Sequence, residues 1–507
     1  MLTDTPISRA LRAGLLLLAL VVLTAILSGR VWSDSVDIAH HYALVLRLVE
    51  YGNGAFPFDL SLGEMNTYPR LSHQAAALAA GVAGSPLLGM QLVTVLSLVV
   101  MWACLMWLVA SLPPRMANRT ALVLGLLLIW NHFKFRLSLH GSEVIGGFFY
   151  AQLVGQAVFV MVLLASMALE RRAAPVWLRH GLLVPAIYLL TGIHLMPALF
   201  LLMAMGWLVV ADTVVQWRLR QPGLAVRSAV GAGLLLCAFG VLVSHPGFAA
   251  MREISKHNGS MSVRHLSSVA SLVSLSVVVA AGSAGVLWYW LRRQHERAWL
   301  PLKYLGVLGL SVSCLALVQA VALKLGFVAD YALRKYAFAL ATMALILLAL
   351  LPGLLDRRGR GAAPAGRVAT ILYCVLPTLL VVLASLSVAW QPERFQTSAL
   401  VALERDVLAL EQRMGPPPQG YLDYVIGVTD MPATITYMYS IAELRIPRSH
   451  NPNVPSLLFD RIADWSHVGR VITSENGVYD RYPDCRTGLA QGGLVVLDGA
   501  CLRRYRN

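Results

Sequence analysis

Apolar residues run in long unbroken blocks separated by short Arg-rich turns, a rhythm that predicts successive membrane-crossing helices. The first block is Ala13 to Gly29, preceded by Arg9 and Arg12. It is predicted as a retained span with a cytoplasmic N-terminus, since no small-x-small cleavage site convincingly follows. The second span is Pro86 to Leu112. Others fall near Thr120–His132, Val144–Leu169, Gly181–Ile193, Leu195–Asp212, Ala229–His245, Ser267–Trp290, Tyr304–Leu323, Tyr336–Leu354 and Val368–Trp390, about eleven in all. Gly181 to Thr213 is 33 residues of almost unbroken apolar sequence. As one helix it would be about 50 Å long against roughly 30 Å of hydrocarbon. Basic residues on both flanks favour two short spans turning at Thr191-Gly192-Ile193-His194.

After Trp390 the pattern changes. A helical stretch, Ser398 to Met414, leads into three prolines. Strand-like runs follow at Tyr424–Val428, Val471–Thr473 and Gly493–Leu497, with helix-like runs at Ala433–Leu444 and Ser456–Trp465 between them. The predicted organisation is a transmembrane domain, residues 1–390, and a small C-terminal α/β domain, residues 391–507.

Composition agrees with this polytopic α-helical class. Of 507 residues 57% are hydrophobic and 13% charged, against about 25% charged in soluble proteins. Mean hydropathy is +0.66. A soluble or disordered chain is excluded, and the absence of ten-residue alternation argues against a β-barrel. Net charge is +15, concentrated before Gln391; the region beyond has 12 Arg and no Lys against 13 acids. In the predicted topology 18 of the 29 earlier basic residues face the cytoplasm, Arg179 and Lys303 among them. An odd span count puts residues 391–507 on the periplasmic side of an inner (cytoplasmic) membrane. The two cysteines there, Cys485 and Cys501, are predicted to pair, which would stabilise that domain by about 3 kcal/mol. The other four cysteines lie inside apolar runs, and no Cys/His metal spacing occurs. No basic, aromatic-laced soluble domain exists, so nucleic acid is excluded as a partner.

The candidate chemistry lies at the outer ends of the spans. In Trp32-Ser33-Asp34-Ser35-Val36-Asp37-Ile38-Ala39-His40-His41, Ser33 or Asp34 would cap a helix. Asp37 and His41, four apart, would then share a face. A carboxylate oriented by an imidazole serves as a general base, whereas Asp37 in a first turn also simply complements the helix dipole. Asp34 is the alternative base. Four of five lysines lie on the outer side: Lys134, Lys256, Lys324 and Lys335, with Arg136, Arg252, Arg264 and Arg334. These either snorkel to lipid headgroups or bind a phosphate. Tyr331 to Lys335, opening a late span, is the best phosphate candidate, with Lys256 and Arg264. His132, His194 and His245 mark span ends and would cap helix C-termini or face a pocket. Tyr68-Pro69 breaks the first long loop, and with His40, His194 and His245 it would line a donor or acceptor pocket.

Together these features resemble the GT-C superfamily of membrane glycosyltransferases. The resemblance rests on Asp34-x-x-Asp37-x-x-His40-His41 after the first span, Tyr68-Pro69 before the second, His194 at a span end, Tyr331-x-x-x-Lys335 opening a late span, and the terminal α/β domain. It implies transfer of a sugar from a polyprenyl-phosphate donor to a glycan, lipid or protein of the cell envelope. The family's first-loop Asp carries over onto Asp37, or else Asp34. Some members bind a divalent cation through further acidic residues, and here no metal ligands are assignable. A lipid-linked glycan flippase or transporter, a glycan ligase or polymerase, and a non-enzymatic scaffold are the alternatives. A transporter would want charged groups near mid-membrane and an internal repeat, whereas the spans look nearly charge-free and no repeat is found.

Overall fold

A helix stands at each predicted apolar block of the computed structural model, which describes residues 6–31, 35–220, 222–255, 261, 263–294, 296–355, 367–389, 395–448 and 451–505. Eight helices among the described residues are long and apolar enough to cross a membrane: Ala10–Leu27, Pro86–Ala110, Tyr150–Arg171, Leu195–Arg218, Leu224–Ser244, Val269–Arg292, Arg297–Lys324 and Asp330–Leu355. Val176–Thr191 and Cys374–Ala389 are shorter apolar helices, and Pro114–Trp130 has 17 residues. The chain is a polytopic helical membrane protein with a small C-terminal sheet.

The break in the long apolar run falls where the length argument puts it. One helix ends at Thr191 and the next starts at Leu195. His194 caps that start, its Nδ1 accepting from the Met196 amide at 3.2 Å. Pro197 is tolerated there because the first helical amides lack intrahelical acceptors anyway. The block Val144–Leu169 is not one helix as predicted. Gly146-Gly147 ends one short helix, Phe148 takes a positive φ of 49°, and a new helix starts at Tyr150. Two adjacent glycines weaken helix propagation enough for the chain to turn.

The described chain forms two compact units. One comprises Met1–Leu27, Thr94–Glu143 and Ala151–Trp390; the other comprises Ser28–Val93, Val144–Tyr150 and Gln391–Asn507. In the second unit, strands β1 (Arg30–Val31) and β2 (Phe395–Gln396) pair antiparallel, Arg30 opposite Gln396. The other four strands are β3 (Leu422–Val425), β4 (Val468–Ser474), β5 (Arg486–Gln491) and β6 (Leu494–Asp498), in the order β3-β4-β6-β5. β3 runs parallel to β4, and the remaining pairs are antiparallel. Gly492 and Gly493, both at positive φ, form the tight β5–β6 turn that favours such residues.

The predicted helix Ser456–Trp465 is corrected. A short helix, Asn453–Ser456, passes into the 3-10 turn Leu457–Phe459 and stops at Asp460, whose φ is 53°. The Asn453 side chain then accepts from the amides of Ala463 and Asp464, at 2.8 and 2.7 Å, replacing the helical ladder. Cys485 and Cys501 form a disulfide, with Cα atoms 5.4 Å apart.

Candidate active site

The helix Val36–Glu50 organises the second unit's polar interior. Its cap is Ser35, two residues after Ser33 and one after Asp34, the predicted caps, with Oγ accepting from the Asp37 amide at 3.3 Å. Asp37 sits in the first turn and is partly exposed. Asp34 lies outside the described residues. Beyond Asp37 the helix is buried almost throughout from Ile38 to Leu48. It packs against two helices, Leu71–Ala83 and Ala433–Ala442. Its polar side chains therefore must find partners there, since unpaired buried polar groups are costly.

Each side chain takes a different partner. His41 Nδ1 lies 2.8 Å from His73 Nε2, and the two rings stack with centroids 5.0 Å apart. Tyr68 meets both imidazoles edge-on at 5.6 Å. Tyr150 does the same at 5.8 and 5.4 Å, its hydroxyl donating to the Ser72 carbonyl at 2.5 Å. Burial foremost, then His41, drives the His73 pKa well below the ordinary imidazole value, against a hydrogen bond to the Pro69 carbonyl that raises it. His73 is thus neutral at pH 7. His40 accepts a hydrogen bond from the Arg448 guanidinium through Nε2 and meets the Tyr437 ring edge-on at 5.9 Å. Desolvation, Arg448 and His41 push its pKa well down, in that order.

Tyr42 stands between two carboxyl groups, 2.7 Å from Glu404 Oε1 and 2.5 Å from Glu443 Oε1. One phenolic proton serves only one of them, so one carboxyl group must itself donate. Burial raises the Glu404 pKa too, but Glu404 is the better suited of the two to remain charged, since it also accepts from Ser85 Oγ and from the Leu87 amide at 3.2 Å, at the start of the Pro86–Ala110 helix, and these bonds pull its pKa down. Glu443 is suited to hold the proton: burial pushes its pKa up to about 8. The unfolded carboxyl titrates near about 4.3. The folded state therefore retains a proton that the unfolded state releases, and the stability this contributes in acid is lost as pH rises from about 4.5 through about 8. Glu443→Gln keeps a donor toward Tyr42 but does not titrate. Its melting temperature is expected to match wild type near pH 5 and to exceed it near pH 8.5. Thermal unfolding in detergent at both pH values checks this.

Arg47, 1% exposed, donates to Asp59 at 2.6 Å, to Glu50 at 3.1 Å and to the Ala442 carbonyl at 2.7 Å. His73, Glu404, Glu443 and Arg448 were not among the predicted site residues, because their contacts cross up to 408 positions of sequence.

The remaining predicted site residues belong to the first unit. Arg334 is bound to Asp330 at 2.6 Å and to the Met261 carbonyl at 2.7 Å. Lys335 Nζ lies 4.6 Å from the centre of the Tyr331 ring. Arg264 is exposed, and Lys256 lies outside the described residues. His194 caps a helix N-terminus, and His245 does both: it ends the Leu224–Ser244 helix, as predicted, and caps the start of Pro246–Ile254. His245 Nδ1 accepts from the Gly247 amide at 2.9 Å, and its ring lies 4.6 Å from Tyr188. An acceptor nitrogen at a helix start requires the neutral imidazole.

Two further polar groups in this unit went unread in the sequence. Glu143 is wholly buried, accepts from the Gly141 amide at 2.6 Å and lies 3.7 Å from His140 Nδ1. The second group shows that Arg179 and Lys303, predicted to face the cytoplasm, are buried and ion-paired. Lys303, fully buried, reaches Glu170 at 2.7 Å and Asp212 at 2.5 Å. Arg179 binds the same pair at 2.7 and 3.3 Å, His180 lies 3.2 Å from Asp212, and Tyr304 donates to Glu170 at 2.8 Å. Glu170 ends its helix and Lys303 opens another, so the charges gather at helix ends rather than mid-span. No group of three or more His, Cys, Asp or Glu among the described residues is placed to hold a metal ion.

The fold thus defines a polytopic helical membrane protein whose second unit joins the first long loop to a terminal α/β region. No protein-family model matches the chain, and no curated protein matches it. The solved structures similar to it include two crystal structures of ArnT from Cupriavidus metallidurans. The one bound to undecaprenyl phosphate shares 16% identity over 97% of this chain and 98% of that one, with a TM-score of 0.41. The apo form shares 17% over the same fractions, with a TM-score of 0.40.

Proposed function

We propose that the protein is a membrane glycosyltransferase that moves a sugar from a polyprenyl-phosphate donor to a cell-envelope acceptor on the extracytoplasmic side. The observation that carries this reading is the setting of Asp37. It is a partly exposed carboxylate at the first turn of a helix whose next turns are buried and pinned by His73, Glu404, Glu443 and Arg448. A base needs such a fixed support, because small misplacements of a reacting group cost large factors in rate. Asp37 takes the proton of the acceptor hydroxyl as its oxygen attacks the anomeric carbon. The carbon–oxygen bond to phosphate breaks on the opposite face, and the electron pair leaves with the phosphate, inverting the centre. Lys335 and Arg334 are assigned to that phosphate. Asp330 sets the orientation of Arg334. The N-terminus is assigned to the cytoplasm and residues 391–507 to the periplasm.

The test is transfer of radiolabelled sugar from synthetic undecaprenyl-phosphate donors to cell-envelope fractions by the purified protein in nanodiscs. Wild-type protein is expected to transfer at least one sugar. Lys335→Ala or Arg334→Ala is expected to lower kcat by about 10²–10³-fold with normal membrane insertion. Lys134→Ala should do less, since a headgroup contact is worth only about 1 kcal/mol. Absence of transfer from every donor overturns the reading. Full activity in both phosphate-site variants removes that assignment.

A further inference from the structure

The second unit contains a cleft of about 310 Å³ walled by Arg47, Tyr51, Phe56, Phe58, Asp59 and Arg445. Its size is at the lower end of small-molecule sites, about 300–1,000 Å³. Three aromatic rings meet a set of paired charges there. Phe58 is 72% exposed and Tyr51 41% exposed. Phe56 carries the Arg70 guanidinium 4.2 Å from its ring centre and lies 5.9 Å from Tyr51. Exposing large rings beside charged groups costs solubility and gains nothing for the core, so such a patch marks a contact surface.

The charges show which ligand it fits. Arg47 is bound to Asp59 and Glu50, and Arg445 to Glu50 at 2.9 Å. These two guanidinium groups are matched by two carboxylates; Arg70 on Phe56 adds a third cation and Glu411, within electrostatic reach of Arg445 and Arg47, a third carboxyl group, so a phosphate gains little net attraction here. The loop is also held in shape. Asp59 accepts from the Ser61 amide and hydroxyl at 2.8 and 2.6 Å, and Asn66 exchanges hydrogen bonds with the Asp59 backbone at 3.0 and 2.8 Å. A rigid wall of alternating carboxylate acceptors and guanidinium donors suits a ligand whose groups donate and accept at once. Vicinal hydroxyls do both. Exposed aromatic faces, electron-rich at the centre, suit the polarised C–H face of a sugar ring.

We propose that this cleft binds a neutral saccharide, stacked on Phe58 and Phe56, with its hydroxyls shared between Asp59, which the buried Arg47 holds in place, and the Arg445–Glu50 pair. Its role as the docking point of a glycan acceptor rests on the glycosyltransferase reading; saccharide binding itself does not. The full chain in nanodiscs, without donor, is titrated with an array of neutral di- to tetrasaccharides of glucose, galactose, mannose and arabinose, and binding is read by saturation-transfer NMR. Inorganic phosphate and phosphatidylglycerol vesicles are titrated in parallel. At least one saccharide is expected to bind, with Phe58→Ala weakening it about 5- to 10-fold and Arg445→Gln about 5-fold. Both side chains are exposed, so both variants retain the fold. The proposal is overturned if no saccharide binds, if both variants bind as wild type does, or if phosphate or vesicles are the ligands the variants lose. Saccharide binding by a protein that transfers no sugar would leave the cleft standing while the enzyme reading falls.

Discussion

Asp37→Asn is expected to lower sugar transfer by about 10²–10⁴-fold while leaving expression and membrane insertion intact. The amide matches the carboxylate in size but takes no proton. The alternative role of Asp37, complementing the helix dipole, is worth only about 0.3–1 kcal/mol. Loss of that role would shift melting slightly and leave turnover untouched. The backbone amide that Ser35 caps survives the substitution, so the helix start is preserved. Turnover and melting temperature measured on the same preparation separate the two roles. Wild-type turnover in Asp37→Asn removes the base assignment. A comparable loss confined to Asp34→Asn moves the role to that residue.

Lys303→Met is expected to destabilise the first unit by about 3–5 kcal/mol, the range for removing one partner of a buried ion pair. Lys303 is wholly buried and bonded to both Glu170 and Asp212. Its loss leaves two carboxylates with Arg179 as their shared cation, beside His180 on Asp212 and the Tyr304 hydroxyl on Glu170. Removing one of those carboxylates as well, in Lys303→Met with Asp212→Leu, is expected to recover part of the loss, because the surplus buried charge goes with it. Arg220→Ala, an exposed cation, should change little. Thermal unfolding in detergent, followed by size-exclusion chromatography, measures all three. Equal melting of Lys303→Met and Arg220→Ala would return Lys303 to a purely topological role.

The features legible in the sequence share one physical property: their signal is local. A membrane span needs an apolar run in one stretch of chain, and a helix stands at each such run. The turn at Thr191–His194 was legible because length and flanking charge demanded it. Strands β3, β4 and β6 were legible as apolar runs, whereas β5 is mostly exposed and carries Arg486 and Gln491, so it reads as loop. Ser456–Trp465 looked helical, but the Asn453 side chain intercepts its backbone. Asp37, His40, His41 and Tyr68 were visible as polar residues clustered after a span. Their partners were not: His73 lies 32 positions from His41, and Glu443 lies 401 from Tyr42. Lys303 and Arg179 were counted as surface charges, because a cation near a span end looks the same in sequence whether headgroups or buried carboxylates neutralise it.

The second unit draws on three stretches of chain, the first ending at Val93 and the last beginning at Gln391. A ribosome makes the helix bearing Arg47 and Tyr42 long before it makes Glu404, Ala442 or Glu443. At about 5–20 residues per second the wait is on the order of tens of seconds. Throughout that interval Tyr42 has neither of its carboxyl partners, while Arg47 already has Asp59 and Glu50 and lacks only the Ala442 carbonyl. The unit therefore closes only after its third stretch, from Gln391 onward, has been made. The buried face of the helix that carries Asp37 is completed only once Glu404, Ala442 and Glu443 have been made.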